Sequence, residues 1–252
     1  MNTAFFRFYQ QLNDFLPVNK RKCFFQYVFS GRPAVKDSIE AVGVPHTEVG
    51  LILVNSSPAG FEHQIKHGDV VSVYPAFKSI DVSGMNPLHI ELPEERRFVL
   101  DVHLGRLARY LRMLGFDVLY RNNYTDPEIV EIAGKERRII LTRDVGILKT
   151  GEVRWGYWLR SQQPRRQLRE VVEAFDLFPD IQPFARCMAC NGLIEEVHKS
   201  KIEHHLEEGT RRNFNEFHRC TKCRKIYWKG THYTRMKTLI NRLRREIAQR
   251  DC

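Results

Sequence analysis

Two groups of residues in this 252-residue chain have the types and spacings that chemistry needs. The first is a pair of C-x-x-C motifs, "CMAC" (Cys187, Cys190) and "CTKC" (Cys220, Cys223), with 29 residues between them. A two-residue gap lets both sulfurs of a pair reach one ion, and two such pairs from separate turns close a tetrahedral Zn²⁺ site. Four thiolates fill the shell, so the ion reads as structural and His198, His204, His205 and His218 read as surface residues. Four reduced buried cysteines, or a redox pair, are the competing readings. The second group is Asp101, Asp126 and Asp144. Acids gathered in a basic segment require a cation, and Mg²⁺ or Mn²⁺ bound by oxygen would activate a water and stabilise charge developing on a phosphodiester. Each aspartate also has a plainer explanation. Asp126 could be a helix N-cap worth about 1 kcal/mol, Asp144 a strand terminator and Asp101 the cap of the helix after it.

The elements around these acids alternate. "RFVL" reads as a short strand ending at Asp101. "LGRLARYLRMLG" reads as a helix with Leu104, Leu107, Leu111 and Leu114 on one face, Arg106, Arg109 and Arg112 on the other, and Gly115 at its end. "DVLY" is a second strand, with Asp117 at its amino end in a structural role. Asp126-Pro127 opens the helix "EIVEIAGKERR". "IILT" is a third strand, one residue before Asp144, and "GYWL" a fourth. "PRRQLREVVEAFDLF" closes the series as a helix with Leu168, Val171, Val172 and Phe175 together. Such alternation implies a mostly parallel, helix-covered sheet, where ligands gather beyond the carboxyl ends of the strands. If the strands are neighbours, the three carboxylates converge on one edge.

Composition divides the chain. Residues 1–85 read as a small α+β domain of order strand, strand, helix, strand, strand, and 86–95 as a linker. The α/β domain spans 96–180, and 181–252 holds both cysteine pairs. Residues 1–95 carry 8 Lys/Arg against 10 Asp/Glu; residues 96–252 carry 32 against 20. The basic excess in the C-terminal two thirds favours a polyanion through phosphate neutralisation and counterion release. "YWKGTHYTRMK" mixes Tyr227, Trp228 and Tyr233 with cations, and aromatic rings stack on exposed bases while cations grip phosphates. Tyr227 and Trp228 packing beneath the cysteine region is the other reading. Cys23 and Cys252 stand alone, and no disulfide pattern is present. No apolar run approaches the roughly 18 residues of a membrane span and no export signal is visible, so a soluble cytoplasmic protein is expected.

"FVLDVHLGRLARYLRMLGFDVLY", "DPEIVEIAGKERRIILTRD" and "QLREVVEAF", with "PFARCMACN" and "CRKIYWKGTHY", resemble the Mut-seven C-terminal ribonuclease domain over about 96 to 240. The resemblance implies a PIN-like Rossmannoid parallel sheet with a C-terminal zinc ribbon, and Mg²⁺- or Mn²⁺-dependent cutting of RNA. Asp101, Asp126 and Asp144 match the family's acids, and Arg109, Arg112, Arg143 and Trp228 are the expected RNA contacts. Transfer RNA or another structured RNA is the expected partner. Many PIN nucleases carry another acid two residues after the T-x-D aspartate, where this chain has Gly146. Recruitment of Glu128 or Glu131, a single ion, or a non-hydrolytic RNA-binding adaptor are the consequences to weigh. "FYQQLNDFLP", "VKDSIEAVGVPHTEV", "LILVN" and "HGDVVSVYP" resemble the ubiquitin-like β-grasp domain that precedes such ribonuclease domains. That implies a protein partner, and the missing terminal Gly-Gly disfavours sulfur transfer.

Overall fold

The computed structural model describes residues 1–75, 88 and 91–248. Cys252, Ala76 and Phe77 of the predicted last N-terminal strand, and residues 86, 87, 89 and 90 of the predicted linker lie outside them. In chain order the strands and α-helices are β1 (Asn2–Phe8), β2 (Phe25–Phe29), α1 (Val35–Val42), β3 (Val49–Val54), β4 (Ser57–Pro58), β5 (Val70–Pro75), β6 (Phe98–Leu100), α2 (Gly105–Met113), β7 (Val118–Leu119), α3 (Asp126–Glu136), β8 (Ile139–Thr142), α4 (Val145–Leu148), β9 (Gly156–Trp158), α5 (Pro164–Ala174), β10 (Ile194–Val197), α6 (Glu208–Asn213), β11 (Phe217–Cys220), β12 (Ile226–Trp228) and α7 (Thr231–Ala248). No helix among the described residues is long and apolar enough to cross a membrane. The chain divides into two compact units. One comprises Met1–Pro93, Val130–Glu136 and Thr142–Trp158; the other Glu94–Ile129, Arg137–Leu141 and Leu159–Cys252.

The first unit is built on a mixed sheet of order β2-β1-β5-β3-β4. Alternation in β1 sends Ala4, Phe6 and Phe8 inward and leaves Phe5 outside, as a two-residue side-chain period requires. Val35 and Ile39 of α1, four apart, pack into the same core. Parallel pairing of β1 with β5 needs a crossover, and α1 lies within it. This is the β-grasp arrangement, with the short β4 added to the expected order.

The segment Thr142–Trp158 also belongs to this unit. His46 bridges Glu40 Oε1 (2.6 Å) and the Val153 carbonyl (2.8 Å). Lys149 Nζ donates to the Glu40 carbonyl, and the buried Glu48 carboxylate accepts from the Trp158 N–H at 2.7 Å. Phe15 and Trp158 rings lie 4.9 Å apart, and the Trp158 indole N–H donates to the Arg143 carbonyl. Asp144 thus sits on a segment that N-terminal side chains hold in place.

In the second unit β6 lies between β7 and β8, all three parallel, in register Phe98–Val118 and Phe98–Ile139. Phe98, Val99, Leu100, Ile139, Ile140 and Leu141 are buried, the continuous apolar run of strands covered on both faces. Leu107 and Leu111 of α2, with Leu168, Val171 and Val172 of α5, supply buried helical positions. Gly115 ends α2 at φ +102°, where a Cβ would lie 2.3 Å from the Gln182 carbonyl, so only glycine fits. The chain then forms the antiparallel sheet β10-β11-β12 and the basic helix α7.

Removing the Glu48 carboxylate strands a backbone N–H in this packing. Glu48→Ala is expected to lower stability by about 2 kcal/mol, the scale of a hydrogen bond to a charged group. Hydrogen exchange should rise across 142–158 more than across β1 and β5, which peptide-resolved exchange measures.

Candidate metal centre and carboxylate sites

Each C-x-x-C pair sits in a backbone knuckle of the same construction. The Cys187 N–H donates to the Gly192 carbonyl and the Asn191 N–H returns to the Cys187 carbonyl. The Cys220 N–H donates to Lys225 and the Arg224 N–H returns to Cys220. Asn191 and Arg224, each one residue past a second cysteine, take left-handed φ values of 68° and 61°. The knuckles face each other, with Cys187 Sγ 3.6 Å from Cys223 Sγ and Cys190 Sγ 3.4 Å from Cys220 Sγ. All four sulfurs lie within 4.8 Å of one another. Sulfurs at a Zn–S distance of about 2.3 Å would stand about 3.8 Å apart on a tetrahedron, so these residues can hold a structural metal such as zinc. Gly192 is required by this closeness, since a Cβ there would lie 2.8 Å from Cys220 Sγ.

Without a cation the sulfurs cannot all ionise. Burial opposes ionisation of Cys190, yet the Gly192 N–H and neighbouring thiols outweigh it and carry that thiol down to about 6. Desolvation, with the surrounding sulfurs, pushes Cys223 up to about 12. A bound dication removes the repulsion. Tyr227 adds an outer partner: its hydroxyl lies 3.0 Å from Cys187 Sγ, and burial followed by that sulfur raises its pKa, so it remains a donor.

The first knuckle is fastened to the parallel sheet by charges, among them Asp117, read as structural, and Arg112, read otherwise. Arg112, expected to contact RNA, is instead 4% exposed. Its guanidinium donates twice to the Val118 carbonyl (3.0 and 2.8 Å) and to the Ala189 and Met188 carbonyls at 3.0 and 3.3 Å. These bonds commit its donors, so Arg112 holds the knuckle and is corrected from a substrate contact to a structural one. Arg106 and Arg109 remain exposed on α2. Asp117 accepts from Arg138 and from Asn191 Nδ2, both at 2.8 Å, and pairs with Arg186 at 3.4 Å, while Asn191 Oδ1 accepts from the Val118 N–H. Burial alone would raise the Asp117 carboxyl, but the Arg138 and Asn191 hydrogen bonds and the two arginine charges hold it below the usual carboxylate range.

Of the three aspartates, Asp101 and Asp126 belong to the second unit and Asp144 to the first. Asp101 follows β6 and caps a turn of 3₁₀ helix, Oδ1 accepting from the Val102 N–H at 2.5 Å. Asp144 caps α4 by accepting from the Gly146 N–H at 2.6 Å, while its own N–H donates to Thr142 Oγ1. The cap read for Asp101 is therefore present, whereas Asp144, read as a strand terminator, caps the short α4. A Cβ at position 146 would approach Asp144 Oδ1 to 3.0 Å, so glycine accommodates this turn. Asp126 is not the N-cap of α3. Thr125 is: its N–H and Oγ1 both donate to Glu128 Oε2, at 2.7 and 2.9 Å, and its carbonyl accepts from Ile129. The T-x-x-E spacing of Thr125 and Glu128 is the capping-box signal that marks this start. Glu128 is committed there, and Glu131 pairs with Lys135.

Two outcomes test these assemblies. Tyr227→Phe is expected to weaken metal retention about tenfold, the low end for loss of an outer hydrogen bond, measured by competition with a chromogenic chelator. Asp117→Ala leaves the buried Arg138 uncompensated and should cost about 3 kcal/mol at pH 7 in urea unfolding. Because the folded Asp117 pKa is depressed, this contribution is present above the unfolded value of about 4 and lost as pH falls through the folded one. Parent and variant should therefore converge in acid.

Residues 96–240 match the family model for the Mut7-C RNAse domain, and residues 1–81 match the model for the Mut7-C ubiquitin domain. No curated protein and no solved structure matches the chain. The first match covers more than half of the sequence and includes the three aspartates and all four clustered cysteines. The chain belongs to the Mut7-C RNAse domain family and carries that family's ubiquitin-like domain at its N-terminal end.

Proposed function

We propose that this protein is a cytoplasmic ribonuclease that hydrolyses RNA phosphodiesters with Mg²⁺ or Mn²⁺ held by Asp101, Asp126 and Asp144. The observation that carries the reading is the strand arrangement. β6 and β8 are adjacent and parallel, with Leu100 in register with Leu141. Their carboxyl ends leave on the same edge; Asp101 follows one directly and Asp144 follows the other with one residue, Arg143, between. Asp126 heads α3 without serving as its cap. Three carboxylates form a donor set of hard oxygens suited to Mg²⁺ or Mn²⁺. When bound, such an ion supplies a nucleophilic water at neutral pH and stabilises charge on the scissile phosphate. The chain's own part is to hold the ion and to orient the strand. Arg109 and Arg143 are the phosphate-positioning residues of this reading, and Trp228 is a base contact. The predicted organisation, with a ribonuclease domain over 96–180 and a zinc ribbon with basic helix over 181–252, completes the proposal. Transfer RNA or another structured RNA is the substrate, and the ubiquitin-like domain recruits a protein partner.

A second reading, an RNA-binding adaptor without hydrolysis, is favoured by a specific observation. Gly146 stands where many PIN nucleases have an acid, and the nearest replacements, Glu128 and Glu131, are engaged by Thr125 and Lys135.

Asp144→Asn separates the two. Asparagine keeps an oxygen for the Gly146 N–H, so the cap survives while the charge is lost. Manganese-dependent cleavage of single-stranded RNA is expected to fall at least about a hundredfold, the scale of a lost transition-state stabiliser, with zinc content and melting temperature retained. Equal cleavage by parent and variant would rule out the site, and RNA binding without cleavage in the parent would establish the adaptor.

A further inference from the structure

We infer that a cavity beside the cysteine cluster receives one unpaired base of a single-stranded RNA. The cavity measures about 280 Å³ and is lined by Phe184, Met188, Tyr227, Trp228, Tyr233 and Met236, with Lys229 also at its wall. Phe184 and Tyr233 rings pack at 4.7 Å. Trp228 is 39% exposed, so its ring is reachable from solvent, and Phe214 flanks it at 6.4 Å. Gly230 gives that indole its room, because a Cβ there would stand 3.0 Å from Trp228 Nε1. Two lining residues join the cavity to the cysteine knuckles: Tyr227 touches Cys187 Sγ, and Met188 lies between the two cysteines of the first pair.

Charge selects the occupant. Residues 217–245 contain ten Lys/Arg and no Asp/Glu, and six of the twelve residues that line the cavity come from this stretch. Tyr233 and Met236 lie one turn apart on α7, while Arg235 and Lys237 between and beside them are exposed. An apolar peptide would have no use for these cations. A base flanked by two phosphates uses both features, stacking on the rings while the backbone meets the lysines and arginines. Stacking tolerates any base, and a duplex keeps its bases out of reach. The inference rests on the RNA reading above but not on its carboxylates.

The test is anisotropy of a fluorescein-labelled single-stranded RNA octamer with zinc-loaded Asp144→Asn protein and no Mg²⁺ or Mn²⁺. Adding Trp228→Ala is expected to weaken binding about tenfold, the scale of one lost base stack, whereas Trp228→Phe should retain most of it. The salt dependence should keep its slope under Trp228→Ala, because no phosphate contact is removed. A duplex of the same sequence should bind more weakly. Unchanged affinity in Trp228→Ala, with zinc content and fold intact, would overturn the inference. Should that variant lose zinc, an octamer with abasic sites decides on the unaltered ring: equal binding overturns the inference, and weakened binding supports it. Manganese-dependent cleavage by the wild-type chain together with unchanged Trp228→Ala affinity would sink the cavity alone. Trp228-dependent binding without cleavage would sink the nuclease alone.

Discussion

Four sulfur atoms within 4.8 Å of one another cannot all be thiolates unless a cation lies among them. The C-terminal third is arranged around that constraint. The two knuckles repeat one pattern of backbone bonds because each must aim two sulfurs at one point, and each ends in a left-handed residue because the turn closes within five positions. Gly192 follows from the same requirement, as does the placement of the Tyr227 hydroxyl on Cys187. Among the described residues the apolar core of this region centres on Val197, Ile202 and Phe217, and the four cysteines offer an ion the kind of cross-link that small domains commonly use.

The basic character of the chain divides into charges with different work. Arg112 and Arg138 are buried and spend their donors on carbonyls and on Asp117, joining β7, β8 and the first knuckle in one network. A buried guanidinium is tolerable only with such complete hydrogen bonding. Arg109, Arg235 and Lys237 are exposed and leave their charge to solvent or to a polyanion. Net charge therefore overstates the surface available to RNA, although the stretch from 217 to 245 holds ten Lys/Arg and no Asp/Glu.

The acidic residues divide in the same way. Asp117 serves structure, and Asp101 and Asp144 each cap a turn with one carboxylate oxygen. Capping does not oppose a functional role; it fixes the side-chain rotamer and so pre-positions the group. The Asp144 turn is further anchored by Glu48, His46 and Phe15 through the segment that ends at Trp158. A ubiquitin-like domain that grips this segment has an internal role in addition to any partner it recruits.

Local signals were legible wherever they were short and chemical. The C-x-x-C spacing, the 3.6-residue leucine period of α2, Gly115 as a helix end and the strand-helix alternation all describe neighbours along the chain, and each appears as read. The T-x-x-E capping box was equally available, and the competing Asp-Pro signal obscured it. The sequence by itself determined the family, most of the elements of residues 1–180 and the two C-x-x-C pairs, because those depend on residue type and spacing over a few positions. Only tertiary structure decided that Arg112 is a buried staple, that Tyr227 lies on both the cysteine cluster and a cavity, and that Thr142–Trp158 packs with the N-terminal unit. Those outcomes turn on which carbonyls, sulfurs and rings folding brings beside a side chain from tens of residues away, and one-dimensional periodicity carries no record of that.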